Sequence, residues 1–303
     1  MRKIFLLPVL LLPLLQGQAQ TTDSIRYANG YLYYHTYGHG EPIIVLSGGP
    51  GNSCMQQEEV ATELGRKYKA VLLEQRGTGL SIPTPFDSTT INMKAAMEDI
   101  NRLMDRLKVK QILIYGHSWG AMLAMNFAAN YPQKVKRLLL VCPGYYKMST
   151  DLYTTHVNNV RARMGPEDMI KFDSLSKLMG DKEPPREVFL AYNRIMRMSY
   201  IYNKLMIDSM LKKIEVAKSN THMQQLMIGD LWRIRYDLSK TLYRYRGPID
   251  VIAARQDVLA FYTYELKIIH PAAKLHWIQA SGHFPMFEQR TAFYNMLDSL
   301  LTR

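Results

Sequence analysis

The stretch Tyr115-Gly116-His117-Ser118-Trp119-Gly120-Ala121 decides how the rest of the chain is read. It fits G-x-S-x-G and stands between an apolar run that reads as a strand, residues 111–115, and a segment of helical period, residues 121–131. A strand that turns sharply into a helix strains its turn residue and needs small neighbours, which Gly116 and Gly120 supply. The Ser118 hydroxyl is then exposed at the carboxyl edge of a sheet. There the N–H of the following residue, Trp119, and the start of the helix can stabilise a developing oxyanion. Five residues can match such a pattern by chance, so the chain must also supply a base, a carboxylate and a second oxyanion donor.

Toward the amino terminus, Asn29-Gly30 is a two-residue hairpin signal between residues 24–28 and 31–37. Residues 43–46 form a fully apolar run that reads as a buried strand and ends in Ser47-Gly48-Gly49-Pro50-Gly51. This loop lacks the Lys-Ser/Thr of a P-loop and the spacing of a dinucleotide fingerprint. Its better use is to bring a backbone N–H close to a reacting carbonyl oxygen, and Gly49 is the candidate donor; the plain alternative is a tight turn. A helix over 56–68, a strand over 70–73 and a helix over 93–107 lead to the opening motif. The nucleophile's helix and a strand over 135–141 follow it. Strands alternating with helices call for a mainly parallel sheet covered on both faces.

From residue 144 to 246 the rhythm changes. No stretch reads as strand, and apolar residues recur at helical spacing, so this segment is expected to be a helical cap between core segments 20–143 and 247–303. Its many methionines, among them Met196, Met210, Met223 and Met227, suit a core more than a pocket lining. Strands resume over 249–253, with Asp257 just beyond, and over 275–278, followed by Ser281-Gly282-His283 and a closing helix.

Ser118, Asp257 and His283 thus fall in the order Ser, Asp, His, each past a predicted strand. A serine hydroxyl is a poor nucleophile at neutral pH; an imidazole must take its proton, and a carboxylate must fix the imidazole's tautomer and stabilise its charge. Alone, an Asp at a strand end is more often a turn residue or helix cap. The joint order with the glycine loop is what points to catalysis.

Composition bounds what else the chain can be. The 303 residues, 47% hydrophobic, can bury a substantial core. The formal charge of +12 comes from scattered basic residues interleaved with acids, without a dense run or a binding module, which argues against nucleic acid as partner. No H-E-x-x-H or short His/Cys cluster suggests a metal, and acyl transfer by a triad needs no cofactor. Cys54 and Cys142 are too few for a disulfide framework; one bridge is conceivable, two buried thiols the simpler expectation. Residues 1–19 read as a signal peptide: Arg2 and Lys3, an apolar stretch, then small residues placed for cleavage after Ala19. A periplasmic or secreted protein without stable membrane association is expected, the alternative being an uncleaved anchor.

With these residues in place, the chain resembles the α/β-hydrolase superfamily, and more narrowly the proline iminopeptidase family of serine aminopeptidases. The resemblance rests on Gly48-Gly49-Pro50-Gly51, Gln75-Arg76-Gly77-x-Gly79-x-Ser81, Gly116-His117-Ser118-Trp119-Gly120, Asp257 and Gly282-His283. It implies an α/β-hydrolase fold, with a mainly parallel eight-stranded sheet, flanking helices and a helical cap after the sixth strand. It also implies Ser118 as nucleophile, His283 as base then acid, Asp257 as orienting carboxylate, and the Gly49 and Trp119 N–H groups as oxyanion hole. The chain departs from the family at Ser47, Glu74 and His117, and its Gly282 to Glu288 segment is closer to general α/β hydrolases. It lacks an evident Trp-x-x-Trp-Glu signature in the cap, whose carboxylate grips the substrate's free amine. Among the cap acids Glu187, Asp208, Asp230 and Asp237, Asp230 beside Trp232 is the candidate substitute. The expected activity is release of an amino-terminal residue from short peptides through an acyl-enzyme. The alternatives are a carboxylesterase on the same scaffold and a non-catalytic ligand-binding protein.

Overall fold

The hairpin at the sheet edge forms one residue earlier than its Asn-Gly signal suggests. In the computed structural model, which describes residues 20–179, 184–216 and 219–302, β1 (Thr21–Tyr27) pairs antiparallel with β2 (Gly30–Tyr37), Tyr27 facing Gly30. The central turn residues are therefore Ala28 and Asn29. Gly30 opens the strand at φ +146°, where a Cβ would stand 3.2 Å from the Ile82 carbonyl oxygen. The proposed leader, residues 1–19, lies outside the described residues.

Beyond the hairpin come β3 (Pro42–Leu46), β4 (Lys69–Leu73), β5 (Ile112–His117), β6 (Val135–Val141), β7 (Ile249–Ala254) and β8 (Lys274–Ile278). The eight strands lie in the order β1-β2-β4-β3-β5-β6-β7-β8, with β2 antiparallel to both neighbours and the rest parallel. Successive side chains of a strand face opposite sides. Ile44, Leu46, Ile112 and Ile114 accordingly join one apolar cluster, while Ile43, Val45, Leu113 and Tyr115 join another. Helices α1 (Glu58–Leu64), α2 (Met93–Leu107) and α3 (Trp119–Asn130) cover the two faces: Val60 and Leu64 of α1 pack in the second cluster, Ile100 of α2 and Phe127 of α3 in the first.

Between β6 and β7 the described residues form five α-helices, α4 (Thr150–Arg161), α5 (Pro166–Leu178), α6 (Arg186–Tyr200), α7 (Ile207–Val216) and α8 (Thr221–Arg233), inserted after the sixth strand. It is pinned to the core at several points. Asn52 and Ser219 form an isolated β-bridge, and the Asn220 N–H donates to the Gly51 carbonyl at 2.7 Å. Met210, Met223 and Met227 are buried in the two main clusters, as a core role predicts, whereas Met196 lines a cavity. Helices α9 (Ala260–Ile269), α10 (Pro285–Glu288) and α11 (Arg290–Leu301) complete the chain.

The topology itself creates the crevice. From β3 the chain runs out to β4 on one side, and from β5 to β6 on the other, while β3 and β5 are neighbours with Leu46 beside Gly116. Loops that leave adjacent strands in opposite directions open a cleft at their carboxyl ends. The Gly48–Gly51 loop and Ser118 stand at that switch point. No described helix is long and apolar enough to cross a membrane.

Candidate active site

Ser118 occupies the turn between β5 and α3 at φ +54°, ψ −115°, a region that a residue with a Cβ adopts only when its surroundings enforce it. The enforcement is steric and local. A Cβ on Gly116 would lie 2.5 Å from the Gly120 carbonyl oxygen, and one on Gly120 would lie 2.3 Å from that of Leu46. Only glycine lets α3 begin this close to β3 and β5.

Asp257 and His283 follow the adjacent strands β7 and β8, and they meet: His283 Nδ1 and Asp257 Oδ2 are 2.9 Å apart, both side chains buried. Asp257 Oδ1 also accepts the Leu259 N–H at 3.0 Å. Burial works to raise the Asp257 pKa, but the charge and hydrogen bond of His283 and the Leu259 N–H together hold it below the ordinary carboxylate range. The aspartate therefore stays ionised beside an imidazole whose Nδ1 it holds, leaving Nε2 for chemistry. His283 reaches back toward β5 because its loop is fastened at both ends of the residue. Its N–H donates to the Tyr200 carbonyl at 2.7 Å, and its carbonyl accepts the His117 Nε2–H at 2.9 Å.

Ser118, His283, Gly49 and Trp119 all line one cavity of about 380 Å³ under the cap, a size that suits a small ligand. Trp119 opens α3, so its N–H has no partner within the helix. The Gly49 N–H has no backbone acceptor among the described residues. The Ser118 hydroxyl faces this cavity alongside His117 and His283.

The candidate substrate residues of the cap are placed elsewhere. Asp230 is buried, but it accepts the Met93 N–H at the start of α2 at 2.9 Å and pairs with Arg233. It staples α8 to α2. Trp232 is 39% exposed and packs edge-on against Tyr153. The helical step explains the miss: Gln224, Ile228 and Leu231 of α8 line the cavity, so the residues on either side of Leu231 turn away. Glu187 is solvent-exposed, Asp208 pairs with Arg194, and Asp237 bonds to Ser239; none lines the cavity.

Several contributors escaped sequence reading. Gln75 ties the glycine loop to Trp119, Glu288 accepts the N–H groups of Gly282, Tyr202 and Asn203, and Arg197 faces the cavity. The signal for Gln75 and Glu288 was present in the quoted motifs; nothing in the cap's helical pattern marked Arg197. Cys54 and Cys142 are free, buried thiols, and burial pushes both pKa values up. Among the described residues, two groups bring metal-ligand atom types within 4.8 Å of one another, His35–Cys54–Glu74 and Cys142–Asp257–His283. In each, the imidazole is already hydrogen-bonded to the carboxylate, and the second is the Asp–His pair with a thiol behind it.

The family model described as alpha/beta hydrolase fold matches residues 41–289. The chain belongs to the α/β-hydrolase fold family. Within the family, a proline iminopeptidase of Xylella fastidiosa (strain Temecula1) is 35% identical over 132 residues, 42% of this chain and 39% of that protein. A cis-3-alkyl-4-alkyloxetan-2-one decarboxylase of Shewanella oneidensis is 30% identical over 118 residues, 39% of this chain and 37% of that protein. The chain thus matches about two fifths of the length of these curated relatives. Among solved α/β-hydrolase structures, the proline iminopeptidase-related protein of Thermus thermophilus superposes with a TM-score of 0.67 at 19% identity, covering 94% of this chain and 98% of that one. At that identity the likeness of this hydrolase to its structural neighbour concerns the fold alone.

Proposed function

We propose that this α/β hydrolase cleaves small acyl substrates, esters foremost, by a Ser118–His283–Asp257 triad. The observation that carries the reading is the 2.9 Å contact between His283 Nδ1 and Asp257 Oδ2, held beside a strained Ser118 in a shared cavity. Ser118 Oγ attacks the acyl carbonyl as its proton passes to His283 Nε2. The tetrahedral oxyanion is met by the N–H groups of Gly49 and Trp119. Collapse expels the leaving group, which takes the proton from His283 and leaves an acyl-enzyme. Water, deprotonated by His283, then releases the acid and restores Ser118.

Two readings of the substrate compete. Identity to proline iminopeptidases supports an aminopeptidase, but the decarboxylase match of similar extent indicates that likeness on this scale does not select one reaction. An aminopeptidase must pair a buried substrate ammonium, and no carboxylate lines the cavity among the described residues. The ester reading fits that lining. Parallel assays on 4-nitrophenyl butyrate and proline naphthylamide separate them: ester turnover well above arylamide turnover is expected, and the reverse order restores the peptidase. The apolar stretch and small residues before position 20 support export; a mature protein that still begins at Met1 would overturn it.

A further inference from the structure

Among the described residues that line the cavity, a single side chain carries a fixed formal charge. Among the described lining residues there is no aspartate, glutamate or lysine, and Arg197 is the one arginine. It belongs to the face of α6 that carries Tyr192, Asn193, Met196 and Tyr200, positions that recur at helical spacing and all line the cavity. Among the described residues Arg197 has no salt bridge; its one specific contact is with the Phe284 ring, whose centroid lies 5.8 Å from the guanidinium carbon. Phe284 packs edge-on against the His283 ring at 5.3 Å, so the cation stands close to the catalytic centre. Burial pulls the Arg197 pKa down, yet guanidinium remains charged at any ordinary pH.

The other imidazoles do not answer this charge. His156 has a Tyr hydroxyl on each ring nitrogen, Tyr145 on Nδ1 and Tyr200 at 2.7 Å on Nε2. Burial and the His283 charge hold its pKa down at about 4, and burial and His283 hold that of His117 at about 3, so both are neutral at pH 7. A guanidinium facing a cavity with no counter-ion among the described residues lacks half of an ion pair there, and its fixed fork of donors matches a carboxylate.

We propose that Arg197 is the specificity determinant of the site and that the substrate is an acyl ester bearing its own carboxylate, which Arg197 grips while Ser118 attacks the ester carbonyl. This rests on the ester-hydrolase reading above and adds the class of substrate. The same cation would repel a substrate carrying a free ammonium, in keeping with a cavity face that has no acid among the described cap residues.

Three 4-nitrophenyl esters of one chain length test it: mono-4-nitrophenyl adipate, 4-nitrophenyl hexanoate and 4-nitrophenyl 6-(trimethylammonio)hexanoate. The adipate should lead the hexanoate in kcat/KM by about tenfold or more, the scale of a hydrogen bond to a charged group, with the cationic ester last. Arg197→Met should bring the adipate-to-hexanoate ratio close to one, mainly through the KM for adipate, and Arg197→Lys should keep part of it. Equal rates on all three esters, a lead for the cationic one, or a ratio that Arg197→Met leaves intact would overturn the proposal while the hydrolase reading stands. If no ester is turned over, the ester reading on which this rests fails separately. Calorimetry with monoethyl adipate and ethyl hexanoate on the Ser118→Ala protein, with and without Arg197→Met, then tests carboxylate binding alone. Binding of the adipate that depends on Arg197 supports the proposal, and equal or absent binding of the two ligands overturns it.

Discussion

Trp119 is held by Gln75: the indole Nε1 donates to Gln75 Oε1 at 2.8 Å, and Gln75 Nε2 in turn donates to the Ser47 carbonyl at 2.9 Å. One buried amide thereby fastens the elbow after β5 to the glycine loop after β3. These two segments supply the proposed oxyanion donors. Gln75→Ala should therefore lower kcat by roughly 10- to 100-fold with a much smaller change in KM, since misaligned donors are felt mainly in the transition state. Steady-state kinetics on a nitrophenyl ester checks this, and an unchanged kcat would mean the two loops hold their own geometry.

Gly282 is the second close approach on which the site depends. A Cβ there would fall 2.1 Å from the Tyr200 carbonyl oxygen, which accepts the His283 N–H. Gly282→Ala must push the histidine loop away from the end of α6. The expected result is a loss of activity of at least about tenfold in protein that still melts cooperatively. Full activity in that variant would show that the loop is not positioned by the cap.

His156 predicts a specific acid sensitivity. Its pKa is held at about 4 in the folded chain, chiefly by burial and then by the His283 charge, against 6.5 for the free side chain. Between these values the unfolded chain binds the extra proton, so stability is lost as pH falls from 6.5 toward 4 and this loss levels off below. His156→Gln removes the titration while offering both a donor and an acceptor to Tyr145 and Tyr200. From about pH 6.5 to about 4.5 the native protein should lose on the order of 2 kcal/mol more than the variant. Urea unfolding at several pH values measures the difference, and parallel curves would show that His156 is not held neutral.

Much of this architecture could be read without coordinates because the signals were local. An apolar run bounded by glycine, as at residues 43–46 or 112–115, has few alternatives to a buried strand, and Gly116 and Gly120 mark an elbow by steric necessity. Asp257 and His283, which the structure brings to 2.9 Å, were legible as candidates because each lies just past a strand end. The cap was legible only as helical. Its helical lining residues come from α4, α6 and α8, and the packing of those helices decides which faces meet the cavity. One helical step of about 100° separates Leu231, which lines the cavity, from Asp230, which caps α2. Arg197 lay hidden for the same reason. A charged residue on an amphipathic helix reads as solvent-facing until the neighbouring helices are placed around it.

Ser118 is the proposed nucleophile. Treatment with a fluorophosphonate probe, followed by peptide mass mapping, should find one adduct, on Ser118, with the adduct and ester turnover both lost in Ser118→Ala and labelling slowed by on the order of 10³-fold in His283→Ala. An adduct on another residue, no adduct on active protein, or turnover retained by Ser118→Ala would contradict it.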